Sequence, residues 1–305
     1  MAVKISVVIP LYNHEQYIEQ AIESVFEQGV DNVEIVIVND GSSDGSEQVV
    51  KKMMDRYPEI KYFFQENKGA HVAINNGIKH SSGEYVAILN SDDVFHPERF
   101  RKILEIFDKG EGVDAVFTGI DFIDGEGECI ENKWYVEAKK CFEESGVFVN
   151  SLVNGNFFMT TSNLFIKREL FDQIGVFSNL RYTHDLDFFL RLFCKGKKVE
   201  YLDEPLMYYR FHGNNTISEG ALKVKMEVAA VVAFHIAEFS ENLDVEDEVE
   251  LKKLTGLYEI LEKQNLLRYV TLFVQFYLSL SDSSNYYEAL WRDEKFTKYI
   301  LQTIE

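Results

Sequence analysis

The stretch GEYVAILNSDDVFHP, residues 83–97, concentrates side chains that can do chemistry: an apolar run from Tyr85 to Leu89 ends in Asn90, Ser91, Asp92 and Asp93. Two adjacent carboxylates repel, so one tends to take up a proton unless a cation offsets the pair. Their hard oxygens suit Mg²⁺ or Mn²⁺. The same residues fit a second role, since Asp92 or Asp93 could cap the helix that HPERFRKILEIF suggests. This stretch alone leaves the metal and the cap readings open. What places the carboxylates is the run before them. Bounded by Gly83 and by polar residues, it has the pattern of a strand covered on both faces, and ligands of open α/β sheets bind beyond the carboxyl ends of such strands.

The surrounding chain repeats a strand–helix unit. Ile5 to Ile9 is a β-branched run stopped by Pro10, and Glu15 to Phe26 has helical spacing. Val33 to Val38 is a second strand, closed by NDGSSDGS with turn residues Gly41 and Gly45, before a helix from Glu47 to Arg56. Ile60 to Phe64, the NKG connection and a helix from Ala70 to Lys79 lead into the strand at Tyr85. Repeated units of this kind imply a parallel sheet with right-handed crossovers. Further on come a helix from Pro97 to Phe107, a strand from Ala115 to Phe117, a hairpin in FIDGEGECI, a helix from Asp185 to Phe193, and short strands at Val199 to Leu202 and Leu206 to Phe211. Between Ser145 and Lys167 the period is lost, and only a short helix and a strand at Asn163 to Ile166 are expected. From Ala221 to Ile304 four helical patterns follow with almost no glycine. The third is apolar nearly all round, which predicts burial in a small bundle or against a partner subunit, with peripheral membrane contact the lesser alternative. These shifts predict an α/β domain over residues 1–220 and a helical region over 221–305.

Composition narrows the function. The 305 residues carry a formal net charge of −20, which argues against a nucleic-acid binder and against electrostatic docking on anionic lipid. An anionic nucleotide would be repelled at long range, so a nucleotide site needs a metal or local positive groups. Cys129, Cys141 and Cys194 have neither CxxC spacing nor even number, which predicts a reducing, cytoplasmic setting. The N-terminal apolar run is too short for a signal peptide, and no segment reaches the length of a membrane span.

The fingerprints GxGxxG and GKS or GKT are absent. Instead SVVIPLYNHEQYIEQAIESVFEQ, EIVIVNDGSSDGS, ENKGAHVAINNGI, GEYVAILNSDD and THDLDFFLRL, in that order, resemble the family 2 inverting glycosyltransferases of the GT-A fold. The resemblance covers roughly the first two thirds of the chain. It implies an α/β fold with a mostly parallel sheet and flanking helices, a Rossmann-like nucleotide-binding half plus an acceptor-binding half, followed by the helical appendage. It also implies a nucleotide-sugar donor, most simply a UDP-sugar, a saccharide or lipid-linked acceptor, and a location in the cytoplasm or at the inner face of the membrane. A homodimer through the C-terminal helices is a further expectation from their apolar faces.

Carried over by position, the resemblance implies that Pro10 and Tyr12 line the nucleotide pocket, Tyr12 having core filler as its plain alternative. Asp40 would accept from the uracil imide, or else cap a helix. Asn67, Gly69 and Asn75 match a second donor-contacting stretch, with Ile74 where members often carry Arg. Asn90 and Ser91 face the donor, Asn90 standing where the DxD-like motif usually opens with Asp. Metal binding falls to Asp92, with Asp93 as second ligand or orienting group, and His212 in YYRFHGNNT resembles the histidine that completes the metal site. Asp185 matches the catalytic base and also fits a helix cap. His184 replaces the usual Glu on the acceptor side, while Asp187 and Arg191 are spaced to pair structurally. A non-catalytic sugar-binding module and a sugar nucleotidyltransferase are the competing readings.

Overall fold

The structure is a computed structural model describing residues 4–110, 112–213, 215, 220–240 and 246–303. Ile304, the expected end of the helical tail, and Asn214 and Thr216 of YYRFHGNNT lie outside the described residues. The chain forms two compact units: one takes in the chain up to Glu131 with Phe158–Phe177 and Gly196–His212, the other Asn132–Phe157, Ser178–Lys195 and the chain from Gly213.

The first unit is built on β1 (Ile5–Leu11), β2 (Val33–Asp40), β3 (Ile60–Gln65) and β4 (Tyr85–Ile88), joined through α1 (Ile18–Phe26), α2 (Ser46–Arg56) and α3 (Ala70–His80). These strands run parallel in the order β3-β2-β1-β4, as the repeated units require, with Ile5 in register with Val33 on one side and Tyr85 on the other. β1 continues past Ile9 to Leu11, so Pro10 lies within the strand rather than ending it. The reason is local. The carbonyl of Val8 accepts from Leu89 N at 3.0 Å on the β4 side, and Pro10 is the next residue to face that way, beyond the end of the ladder, where its missing N–H breaks no bond.

Beyond β4 the sheet turns mixed: β8 (Phe165–Lys167) runs antiparallel to both β4 and β6 (Ala115–Ile123), and β9 (Val199–Arg210) runs parallel to β6. The two short strands expected after Val199 are one, carried across a register irregularity between Thr118 and Asp121 of β6. Two-residue β5 (Val94–Phe95) pairs antiparallel with Met207 and Tyr208 of β9, and β7 (Cys129–Ile130) closes the expected hairpin on β6. α4 (Arg99–Lys109) and a short α7 (Leu170–Ile174) complete the unit. Because β5 follows Asp93 directly and pairs near the end of β9, it brings the residues just after Arg210 back to the carboxyl end of β4.

The second unit is helical: α5 (Lys133–Ser145), α6 (Phe148–Gly155), α8 (His184–Cys194), α9 (Ala221–Ser240), α10 (Glu248–Lys263), α11 (Leu267–Ser279), α12 (Tyr286–Arg292) and α13 (Glu294–Thr303). The stretch of the tail that is sealed on every side lies in the middle of α9, at Ala229, Ala230, Val231, Val232 and Ala233, and not in the third pattern, α11. Small side chains let α8, α11 and α13 approach α9. α11 buries Tyr269, Val270, Phe273 and Tyr277 but presents Thr271, Gln275 and Ser279 outward, with Leu278 62% exposed. Among the described residues no helix is long and apolar enough to cross a membrane.

Candidate active site

The end of β4 is wired into a polar cluster from the segment just before β8. Asn90 receives Thr161 Oγ1 on its side-chain oxygen (3.0 Å), donates its amide to Thr160 Oγ1 (2.8 Å) and its backbone N–H to Ser162 Oγ (2.9 Å). Asp93, almost wholly buried, accepts from Ser162 Oγ at 2.6 Å and from the backbone N–H of Arg210 at 3.0 Å. Burial and the neighbouring Asp92 charge push the Asp93 carboxyl well above the usual carboxylate range. Arg210 reinforces the junction: Nε donates to Asp92 O (2.8 Å), Nη1 to Asp124 O (3.0 Å) and Nη2 to Gln20 Oε1 (2.6 Å). Arg99 anchors the other side of the cluster, donating to Thr118 Oγ1 (2.6 Å) and Asn163 O (2.8 Å), and burial lowers its pKa to about 9.

With Arg210 held by Asp93, His212 falls two residues further on beside Asp92, its Nε2 at 2.9 Å from Asp92 Oδ2. A second imidazole meets the same oxygen. His14 lies in the turn after β1, where its carbonyl accepts from the N–H groups of Tyr17 and Ile18, and α1 starts at Ile18, later than the expected Glu15. Its Nδ1 is 2.8 Å from Ser91 Oγ and its Nε2 is 3.9 Å from Asp92 Oδ2. One donor atom from each of His14, Asp92 and His212 lies within 4.8 Å of the others, and the three are the cluster with metal-ligand geometry among the described residues. Burial raises the Asp92 carboxyl, but the His212 hydrogen bond and the two imidazoles outweigh it, and the carboxyl sits below its ordinary value. Burial likewise holds His14 below its usual value, against the pull of Asp92. An ionised carboxylate beside an imidazole that burial keeps neutral, as at His14, is the donor form that a divalent cation takes. Asp93 stands apart, its oxygens turned to Ser162 and Arg210.

At the ends of β1 and β2, Pro10 is buried, whereas Tyr12 is 47% exposed and is not core filler. Asp40 is buried and organises the NKG connection: Oδ1 accepts from Gln65 Nε2 (2.7 Å) and Lys68 N (2.8 Å), and Oδ2 from Gly69 N (2.9 Å). It caps no helix. Gly69 has φ +93°, a backbone region that a side chain rarely adopts, and this aims its N–H at the carboxylate. Asn67 is exposed in the same loop. Asn75 exchanges two hydrogen bonds with the backbone of Phe177 (2.8 and 3.0 Å), so a donor contact through its amide would have to break that pair.

In the helical unit, Asp185 lies in the first turn of α8, one residue after His184 and two after the N-cap Thr183. It is buried, accepts from Leu186 N (2.7 Å) and Asn156 Nδ2 (2.9 Å), and burial pushes its carboxyl up to about 7. Sequence reasoning missed Asn156, which sits where the pattern loses its period, and Glu227 of α9. The Glu227 carboxylate accepts from Arg181 N (3.0 Å), Tyr182 N (2.7 Å) and Thr183 N (3.1 Å), gripping the loop ahead of Asp185. Asp187 and Arg191 pair at 2.9 Å as spaced, and Asp187 also accepts from Tyr287 Oη (2.7 Å) and meets His235 Nε2 (3.1 Å). His14 was the miss with a signal, a histidine three residues beyond the strand end in PLYNHEQ.

A mixed, mostly parallel sheet with acidic groups at its strand ends and a helical part after it is the GT-A type of glycosyltransferase fold, and solved structures share it. The chain aligns with S. aureus TarS 1-349 in complex with UDP (TM-score 0.63, 19% identity, 93% of this chain and 74% of that one). It also aligns with the mannosyltransferase PcManGT of Pyrobaculum calidifontis in complex with GDP-Man and Mn²⁺ (TM-score 0.62, 16% identity, 98% and 84%). The model of "Glycosyl transferase family 2" matches residues 6–178. An uncharacterized glycosyltransferase of Nostoc sp. is 34% identical over 228 residues, 73% of this chain and 70% of its own. The chain belongs to glycosyl transferase family 2 and is a glycosyltransferase. It spans 65% of the length of some curated relatives it matches and 34% of that of others.

Proposed function

We propose that the chain is a metal-dependent inverting glycosyltransferase that moves a sugar from UDP to a hydroxyl of a saccharide or lipid-linked acceptor, in bacterial surface polysaccharide or glycoconjugate synthesis. The observation that carries this reading is the meeting of Asp92 and His212 beyond the end of β4, at 2.9 Å, in a sheet of this type. Asp92 and His212 hold Mn²⁺ or Mg²⁺, and Asp93 acts behind them by fixing Arg210 and so the approach of His212. A divalent cation bound there supplies the positive charge that offsets the departing diphosphate. On the donor side Pro10 and Tyr12 flank the base, Asp40 with Asn67 and Gly69 reads it, and Ser91 faces the ribose beside Asn90, whose amide is held by Thr160 and Thr161. Asn75 holds the second donor stretch in place through Phe177.

Asp185 takes the proton from the acceptor hydroxyl, which attacks the anomeric carbon as the bond to the diphosphate breaks, so that configuration inverts. A pKa of about 7 suits a group that must be ionised to accept yet strong enough to pull a proton. His184 borders the acceptor. Residues 1–220 form the catalytic domain in this reading, with the helices after 221 supporting it and offering a homodimer face. The protein works in the cytoplasm or at the inner face of the membrane. Calorimetric titration with UDP and GDP, with and without Mn²⁺, followed by hydrolysis of a panel of UDP-sugars, tests the reading. UDP should bind more tightly than GDP, and more tightly still with the metal. Equal binding of the two nucleotides overturns the donor assignment, and full hydrolysis in excess chelator overturns the metal.

A further inference from the structure

We infer that His14 is a third protein ligand of the cation held by Asp92 and His212, and that the two imidazoles make this site select a transition cation such as Mn²⁺ over Mg²⁺. The inference rests on the metal reading above and deepens it. Nothing in the NSDD stretch points to His14, which enters from the turn after β1.

Three observations support it. First, both histidines present Nε2 to the same oxygen, Asp92 Oδ2, at 2.9 Å from His212 and 3.9 Å from His14, and the three donor atoms lie within 4.8 Å of one another. Second, the His14 ring is aimed: its Nδ1 is bonded to the hydroxyl of Ser91 at 2.8 Å, which leaves Nε2 for the cation, the arrangement by which outer partners orient metal-bound imidazoles. Third, its backbone is pinned at both ends. The N–H donates to Ser46 Oγ at 3.1 Å, and the carbonyl accepts from Tyr17 and Ile18 at 3.0 Å. An imidazole held this way costs little to order around an ion.

The donor chemistry sets the preference. Mg²⁺ favours oxygen ligands and keeps its waters, whereas imidazole nitrogen suits the first-row transition ions. A site offering two nitrogens and one oxygen therefore discriminates against Mg²⁺, with Ser91 orienting one of the nitrogens.

Calorimetry with MnCl₂ and with MgCl₂, on chelator-stripped full-length protein saturated with UDP, tests this without reference to turnover. The parent protein should bind Mn²⁺ at least ~10-fold more tightly than Mg²⁺. His14→Gln should lose about 10-fold or more in Mn²⁺ affinity with much less change for Mg²⁺, and Ser91→Ala should shift Mn²⁺ binding in the same direction. Pulsed electron paramagnetic resonance on the Mn²⁺ form of the parent, labelled with ¹⁵N-histidine, should count two bound imidazoles, a readout that needs no variant to fold. One imidazole, or unchanged Mn²⁺ affinity in His14→Gln while His212→Gln loses it, overturns the role of His14. Undiminished Mn²⁺ binding by Asp92→Asn would instead remove the reading beneath it.

Discussion

Asp185 combines a buried carboxyl, a neighbour on each oxygen and a pKa near 7, and its effect on stability and its proposed role as base pull in opposite directions. Its folded pKa lies above the unfolded value of 3.8, so the stability it contributes is full below pH ~4 and is lost as pH rises through about 7. At pH 8 the ionised group is a cost, at most roughly 4 kcal/mol before local relaxation. Asp185→Asn should therefore melt higher than the parent at pH 8, with a smaller difference at pH 5, in paired thermal unfolding scans. Transfer should fall ~10²–10⁴-fold while UDP binding is kept, and the parent's rate should drop as pH falls below about 7, because a protonated Asp185 cannot accept. A variant that keeps the parent rate would return Asp185 to a purely structural place. Asp40 is tested by affinity instead. Asp40→Ala strands the N–H groups of Lys68 and Gly69 and removes the proposed base contact, and should cost ~1–3 kcal/mol of UDP binding by calorimetry.

At the level of elements, the local half of the fold was legible and the long-range half was not. β1 to β4 and the helices between them follow from hydrophobic period and turn residues, and α8 with its Asp187–Arg191 pair follows from spacing. β5 has two residues and no pattern of its own, yet by pairing with β9 it makes His212 a neighbour of Asp92. Thr160 to Ser162 were unreadable for a similar reason, and Asn163, expected to open a strand, instead closes a short 3₁₀ turn ahead of β8. Their small polar side chains answer Asn90, Asp93 and Thr118, partners more than 40 residues away, and show no period. Asn90 illustrates the limit: it reads as a weakened metal motif, but in the structure its amide is spent on Thr160 and Thr161. The grip of α9 on α8 was equally hidden. Glu227 looks like one more charge in a helix, but it satisfies the three N–H groups of Arg181, Tyr182 and Thr183 in the loop just ahead of α8. Glu227→Gln halves the acceptor capacity and removes the charge, so the variant should lose ~1–3 kcal/mol in denaturant unfolding and expose the amides of 181–183 to hydrogen exchange. Unchanged protection of those amides would show that the carboxylate is not what orders the loop.

At the scale of the whole molecule, the net charge of −20 sets a condition on the function that no single residue expresses. The proposed donor is an anion, and the field of so acidic a chain raises the work of bringing it in from bulk water. The effect is long-ranged, so salt should screen it: the Debye length falls from about 30 Å at 0.01 M to about 10 Å at 0.1 M ionic strength. A cation held by Asp92 and the histidines would act differently, adding positive charge at the proposed diphosphate site and leaving the remote surface unchanged. The two effects can be separated by titrating UDP across salt concentrations. In excess chelator, UDP affinity should rise severalfold as NaCl is raised from about 0.01 to about 0.1 M, because screening removes repulsion and no short-range partner is being masked. With saturating Mn²⁺ the slope should flatten or change sign, since salt then also weakens the attraction between cation and diphosphate. An affinity that falls with salt in the absence of metal would mean that side-chain cations dominate the donor site, and would move the search for them away from the acidic strand end and onto loop residues such as Lys68.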